Sequence, residues 1–258
     1  MDIVLEKSDK IRAEALGYLG YGKKAAQVAD SAVLALLDEC LDELLGVVAP
    51  KEVHRSFLLK HVGGDSLAVV LDGETAADVA TDAVLSEELC RKDVPTGMGN
   101  SRNVVAVHSG GGGTADGRWH ITSPKLAAHL AGCHSVVLFA VTLGLGVDHL
   151  IRRYSKVQMS KAAVMQAASA ALVEEVCDQV NALVADEEAA KGNVTVSRYS
   201  PGYGDFTLEN QVRLTAILDT GRRIGVKLNE SLLMSPSKSV TAVIGVRKAA
   251  NRGMCKGL

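Results

Sequence analysis

The 258-residue chain is 47% hydrophobic and 3% aromatic, enough apolar material for one large core or two small ones. A formal net charge of -2 and no basic run beyond pairs such as Arg152-Arg153 and Arg222-Arg223 argue against nucleic acid as the principal partner. Cys40, Cys90, Cys133, Cys177 and Cys255 include no CxxC pair, so neither a disulfide framework nor a zinc knuckle is expected. With no basic-then-apolar leader and no apolar run of the roughly 18 residues a membrane span requires, the expectation is a soluble, cytoplasmic protein that works away from membranes.

Residues 3–5 read as a short strand, and Ser8 is placed to cap a helix carrying Ile11, Ala15, Leu16 and Leu19 that ends at Gly20-Tyr21-Gly22. Residues 28–48 space Val33, Leu34, Leu37, Leu41, Leu44 and Leu45 along one face of an amphipathic helix. The acids Asp38, Glu39, Asp42 and Glu43 fall opposite and read as a solvated face. Residues 53–62 and 67–71 read as strands on either side of Gly63-Gly64-Asp65, a hairpin signal. Helical spacing returns over residues 75–91. Residues 95–117 read as a flexible insertion in which Ser109 precedes a glycine run. The Lys-Ser/Thr pair and the immediate helix of a phosphate loop are missing from it.

Ser123-Pro124 combines a capping residue with a proline at the first helical position. Ser135-Val136-Val137-Leu138-Phe139-Ala140-Val141-Thr142-Leu143 reads as a buried central strand. A helix over residues 147–154 follows, with Asp148 in its first turn where negative charge suits the helix dipole. The longest helix is expected over residues 159–190. It is apolar around most of its circumference, yet a helical wheel sets Glu174 among Ala163, Ala167, Ala170 and Ala171, while Glu175 falls near Lys161 and Gln179 as ordinary surface. A carboxylate among alanine methyls must take up a proton or meet a partner, since burying an unpaired charge is too costly. That partner is either a protein arginine, conceivably Arg198, or a ligand.

Residues 194–196 lead, extended, into Ser197-Arg198-Tyr199-Ser200-Pro201-Gly202-Tyr203-Gly204-Asp205. Pro201 presets φ and Gly202 can take φ > 0, so Ser200-Pro201-Gly202-Tyr203 reads as a tight turn. Gly204 lets the backbone approach something closely. Arg198 brings a permanent charge and a planar fork suited to carboxylate or phosphate. Read locally, it sits either in a surface ion pair, with the tyrosines as packing, or in an anion site. Thr207 then caps a helix carrying Val212, Leu214, Ile217 and Leu218 that stops at Gly221. Residues 226–228 and 239–246 are strands with a turn at Pro236 between them, and residues 249–258 form a frayed tail.

Three segments, Arg198-Tyr199-Ser200-Pro201-Gly202-Tyr203-Gly204-Asp205, Ile224-Gly225-Val226-Lys227-Leu228-Asn229-Glu230-Ser231 and Met234-Ser235-Pro236-Ser237-Lys238-Ser239-Val240, together resemble the reactivation domain of cobalamin-dependent methionine synthase. Tyr18-Leu19-Gly20-Tyr21-Gly22, Thr142-Leu143-Gly144 and Ala171-Leu172-Val173-Glu174 look like landmarks of its free-standing members, so the resemblance spans nearly the whole chain as one domain over residues 1–258. It implies an α/β (α+β) fold, a single C-shaped domain with a twisted, mainly antiparallel sheet and flanking helices. It also implies binding of S-adenosylmethionine in support of reductive methylation of cob(II)alamin, with the electron from a flavodoxin-like donor. By the same resemblance Arg198 holds the methionyl carboxylate and Glu174 meets the ammonium. Ser200, Pro201, Gly202 and Tyr203 form the turn that lines the adenosyl group.

The chain has no Asp-x-His-x-x-Gly signature, so the resemblance implies that cobalamin is supplied by a partner, either a corrinoid-binding protein or a methionine synthase lacking its own reactivation domain. A further acidic ligand near the N-terminus of the synthase-borne version has no aligned counterpart, and this chain ends soon after the strand at 239–246, where that version continues. Residues 95–117 look like an insertion relative to the family. Other readings are a non-catalytic module that senses S-adenosylmethionine or docks on a corrinoid protein, and a methyltransferase with its own acceptor.

Overall fold

The computed structural model describes residues 3–21, 29–71, 113–114 and 117–249. The helix expected over residues 75–91, the flexible insertion at 95–117 apart from residues 113, 114 and 117, and the tail beyond residue 249 lie outside the described residues. Helix α1 (Asp9–Tyr18) begins where Ser8 accepts from the Ile11 amide at 3.2 Å. It closes at Gly20, φ 90°, with the Tyr21 amide donating to the Leu16 carbonyl at 3.0 Å. Helix α2 (Ser31–Leu45) starts at Asp30, whose carboxylate accepts from the Ala32 amide, and it buries Leu37, Cys40, Leu41 and Leu44. Residues 3–5 form no strand. The Gln179 side chain accepts from the Val4 N–H at 3.2 Å and donates to its C=O at 2.6 Å, supplying the two bonds a neighbouring strand would have given.

In chain order the strands are β1 (Lys51–Gly63), β2 (Ser66–Val70), β3 (Gly113–Thr114), β4 (Arg118–Thr122), β5 (Ser135–Thr142), β6 (Asn193–Thr195), β7 (Lys227–Leu228), β8 (Met234–Ser235) and β9 (Ser239–Lys248). Seven form one sheet in the order β3-β4-β2-β1-β5-β9-β6, and β7 and β8 pair as a separate ribbon. Every described pairing is antiparallel. The remaining helices among the described residues are α3 (Pro124–His129), α4 (Leu145–Val157), α5 (Met159–Ala189), α6 (Asn210–Leu218) and the short α7 (Thr220–Arg223). This is the α+β architecture with a mainly antiparallel sheet that the sequence led us to expect.

Strand β5 shows why its sequence is an unbroken apolar run. Val137, Phe139 and Val141 join the core formed with α1, α2, α4 and α5. Val136, Leu138 and Ala140 join a second core with Trp119, Phe206 and Leu214. Successive residues of a strand point to opposite faces, and here both faces are covered. Strand β4 was not foreseen, although Trp119 and Ile121 are buried while Arg118 and His120 are only partly so; its period-2 alternation lies directly after the glycine-rich stretch that drew the expectation of disorder.

Helix α6 differs from expectation at both ends. Thr207 does not cap α6; it heads a preceding turn in which its carbonyl accepts from the Asn210 amide at 3.2 Å. That helix ends at Leu218, before Gly221, because Asp219 turns left-handed at φ 49°.

The acids of α2 are not a simple solvated face. Asp42 pairs with Lys7, Asp38 with Arg12, and Glu39 and Glu43 both with Lys161. Lys161, expected on the surface near Glu175, has a side chain only 5% exposed. Its ammonium also lies 4.5 Å from the centre of the Tyr154 ring, so one buried cation ties α2, α4 and α5 together. Burial holds two core thiols neutral: Cys40, beside Lys161, is pushed up to about 11 and Cys177, further along α5, up to about 12.

Helix α3 starts as expected, with Ser123 Oγ accepting from the Leu126 amide at 3.1 Å. The same hydroxyl donates to Asp205, which also accepts from the Lys125 amide at 3.1 Å. The segment around residue 205 is thereby fastened to a helix N-terminus. Ser123→Ala is expected to cost about 1 kcal/mol and to lower Tm by about 2–4 °C in thermal unfolding.

Between β1 and the end of α5, His54 lies 3.0 Å from Glu52 and 3.5 Å from Glu187. Its bond with Glu52 raises the imidazole above its usual range despite partial burial, and His54 in turn holds the Glu52 carboxyl low. A raised histidine contributes fully below its unfolded pKa, and that contribution is lost as pH rises through the folded value. The paired Glu52 contributes above its unfolded pKa. Stability is therefore expected to fall from pH 6 to pH 8 by roughly 0.2–1 kcal/mol, in keeping with a partly exposed pair. Urea titrations should show this for the wild type, and His54→Gln should flatten the difference.

Candidate ligand-binding cleft

Residues 193–199 run along the free edge of β9. Beyond β6, the Val196 amide donates to Gly245 at 2.9 Å, and Tyr199 and Val243 exchange both backbone bonds at 2.9 Å. This pairing fixes the backbone on either side of Arg198, whose guanidinium reaches α5. There Nη2 donates to Glu174 and Nη1 donates to Asp178 at 2.7 Å. Asp178 also accepts from Lys10 of α1 at 2.8 Å, and Lys10 donates to Glu175 at 2.7 Å. Partial burial favours the neutral acid at Asp178, but the bonds from Lys10 and Arg198 outweigh it and hold this carboxyl below the usual carboxylate range. Glu14, on the facing helix, is pushed up by burial and by the charges of Glu174 and Asp178.

Glu174 is thus not buried among alanines. Its side chain is 29% exposed and that of Arg198 is 25%. The small-residue face borders an open groove of about 550 Å³ lined by Tyr18, Leu19, Ala163, Ala167 and Ala170. The protein-arginine alternative describes the structure, since Glu174 and Arg198 bond directly, both at the wall of the adjoining cleft. Glu175 is likewise paired, with Lys10 and with Gln179.

Ser200-Pro201-Gly202-Tyr203 forms the expected turn, with Gly202 at φ 93° and the Tyr203 amide donating to the Ser200 carbonyl at 3.2 Å. The Gly202 amide donates to the Phe206 carbonyl at 2.7 Å. Both amides are therefore spent within the turn, and neither is free to reach into the cleft. Gly204 is needed for close approach, because a Cβ there would sit 2.5 Å from the Tyr199 hydroxyl and 2.9 Å from Lys125 Cδ. Tyr199 itself packs against His129 and Phe206. Tyr203 is 69% exposed.

The turn forms one wall of a cleft of about 640 Å³. Glu174, Arg198, Ser200, Pro201 and Tyr203 all line it; Gly202 does not, and a Cβ there would stand 3.6 Å from Leu208 Cδ1. The opposite wall was not singled out as site from the sequence. It consists of Leu232, Leu233 and Met234, with Gln211 and Thr241 at the base. Asn229 organises this wall, its Oδ1 accepting from Ser231 and Leu233 amides at 3.0 and 2.9 Å, and Leu232 is held at φ 60°, a conformation bulky side chains avoid. Gln211 donates to the Leu232 carbonyl at 2.9 Å and locks the wall to α6. Asp148 does more than suit a dipole: it accepts from the Ser237 hydroxyl and amide, joining α4 to the cleft rim.

Fold and cleft together define an α+β domain whose cleft, beside an antiparallel sheet, is lined by a charged pair and by apolar residues. Residues 126–253, about half of the chain, match the family model described as vitamin B12 dependent methionine synthase, activation domain. The chain belongs to that family. Among solved structures, one described as the crystal structure of the MetH reactivation domain bound to AdoHcy superposes with a TM-score of 0.55 at 16% identity, covering 91% of this chain and 74% of that one. At this identity the likeness is one of fold. A search of curated proteins finds no match.

Proposed function

We propose that the cleft binds S-adenosylmethionine and that the chain, acting as a free-standing module, supports reductive methylation of cob(II)alamin on a separate corrinoid protein, for which a methionine synthase lacking its own reactivation domain is the leading candidate. The observation that carries this is the Arg198–Glu174 pair at the wall of a cleft of about 640 Å³, a volume within the usual range for small-molecule sites, in a chain of the activation-domain family. The bound S-adenosylhomocysteine of the structural neighbour supports the same ligand class.

An amino acid entering between Arg198 and Glu174 exchanges one ion pair for two. Its carboxylate takes the guanidinium and its ammonium takes Glu174, each by charge-assisted bonds. Leu232, Leu233 and the Tyr203 ring offer apolar surface to the nucleoside. S-adenosylmethionine supplies the methyl group. One electron from a flavodoxin-like donor reduces the cobalt, whose attack on the methyl carbon breaks the sulfur–carbon bond and leaves S-adenosylhomocysteine. The residues of this chain bind and orient; none is required to move a proton. The setting for this chemistry is the cytoplasm.

The test mixes the protein with a corrinoid methionine synthase, a flavodoxin-type reductant and methyl-labelled S-adenosylmethionine. Label is expected on cobalt only when all components are present. Binding without label transfer would reduce the protein to a sensing or docking module, and turnover without any corrinoid would make it an ordinary methyltransferase; either result overturns the proposal.

A further inference from the structure

Asp178 follows Glu174 by four residues and shares its face of α5, yet the two acids are placed differently. Glu174 lines the cleft and Asp178 does not. Asp178 uses Oδ1 to hold Arg198 Nη1 at 2.7 Å and Oδ2 to accept from Lys10 Nζ at 2.8 Å. Lys10 is itself braced by Glu175 at 2.7 Å. The guanidinium is therefore gripped on both terminal nitrogens, by one acid at the cleft wall and by one behind it whose orientation a lysine of α1 maintains.

We infer that Asp178 is a positioning residue for ligand binding: it pins Nη1 of Arg198, so that the guanidinium stays aimed at the cleft when a ligand carboxylate takes the place of Glu174 at Nη2. The physical reason is that Glu174 cannot serve both as the partner of Arg198 and as the partner of the incoming ammonium. Once Glu174 turns to the ligand, an arginine with no second anchor regains its rotamers, and the ligand must then order it. A charge-assisted bond from a fixed carboxylate removes that cost beforehand. Asp178 does this without cancelling the pull of Arg198 on the ligand carboxylate, because it stands away from the cleft and shares its own charge with Lys10. The inference rests on the reading of the cleft as an S-adenosylmethionine site.

The experiment compares two ligands by calorimetry, S-adenosylmethionine and 5′-methylthioadenosine, which lacks the amino-acid part. Asp178→Ala is expected to weaken S-adenosylmethionine about tenfold or more, the scale of a lost bond to a charged group, and to leave 5′-methylthioadenosine unchanged. Asp178→Glu should recover most of the loss. Unaltered S-adenosylmethionine affinity overturns the inference, and so does an equal loss for both ligands, which marks a structural role. Because the Asp178 side chain is 43% exposed, the variant should fold; should it not, Asp178→Asn keeps the shape and is read in the same way. If Arg198→Ala loses S-adenosylmethionine while Asp178→Ala keeps it, only the role of Asp178 fails. If the wild type binds no S-adenosylmethionine, the reading of the cleft fails and this inference with it.

Discussion

Arg198→Ala is expected to abolish S-adenosylmethionine binding, lowering affinity at least 100-fold and taking the calorimetric signal to baseline. The side chain supplies the carboxylate partner, and a hydrogen bond to a charged group is worth about 1.5–3 kcal/mol. Its removal also leaves Glu174 without its partner, whereas Asp178 keeps Lys10. The ligand's carboxylate would then face Glu174 and Asp178 with no cation of the cleft wall between them, so the site would repel what it now holds. At about 1.4 kcal/mol per tenfold, these effects add to a loss beyond routine detection. Arg198→Lys keeps the charge but not the fork that reaches Glu174 and Asp178 together, and should fall between. Unchanged affinity in the alanine variant would remove Arg198 from the site.

Gly245→Ala is expected to damage the fold strongly for a change of one methyl group. Gly245 lies in β9 opposite Val136 of β5, and a Cβ there would stand 2.6 Å from Leu130 Cδ2, 2.7 Å from Cys133 Sγ and 2.8 Å from Val196 Cγ2. All three neighbours belong to or pack on the second core, with β5 behind, so none can withdraw without opening another gap. Overpacking of this kind costs about 2–3 kcal/mol, or a Tm lower by about 4–12 °C for a chain of this size. Gly17, within α1, is an internal control: nothing lies within 4 Å of its virtual Cβ, so Gly17→Ala should stabilise by about 0.5–1 kcal/mol through helix propensity. Equal thermal shifts for the two variants would show that steric closure at Gly245 is not what β9 depends on.

The comparison of the two glycines illustrates what was legible. Gly202 and Gly204 announced a turn and a close approach, and both occur, because a turn type depends on the φ of its own residues. Nothing in the residues around Gly245 reported that three side chains from residues 130, 133 and 196 converge on it. Likewise Glu174 could be singled out as anomalous from a wheel, and its fourth neighbour Asp178 could have been added by the same spacing, since residues four apart share a helix face. Lys10 could not, being 168 residues away.

What the sequence determined by itself is the local and periodic content of this protein. The Ser8 and Ser123 caps, the hairpin at Gly63-Gly64, the apolar run of strand β5 and the Pro201-Gly202 turn were all set by residues a few positions apart, whose geometry the chain carries with it, and the family resemblance was legible as motifs in their order. The tertiary structure alone decided the partnerships. It placed Arg198 against Glu174 and Asp178, turned the acids of α2 toward Lys7, Arg12 and Lys161, and brought Leu232 and Leu233 to the cleft that Arg198 lines. The physical reason is distance: ion pairing and cavity walls depend on separations of a few ångströms between groups far apart in the chain, and only the packing of α1, α5 and the β9 edge brings those groups together.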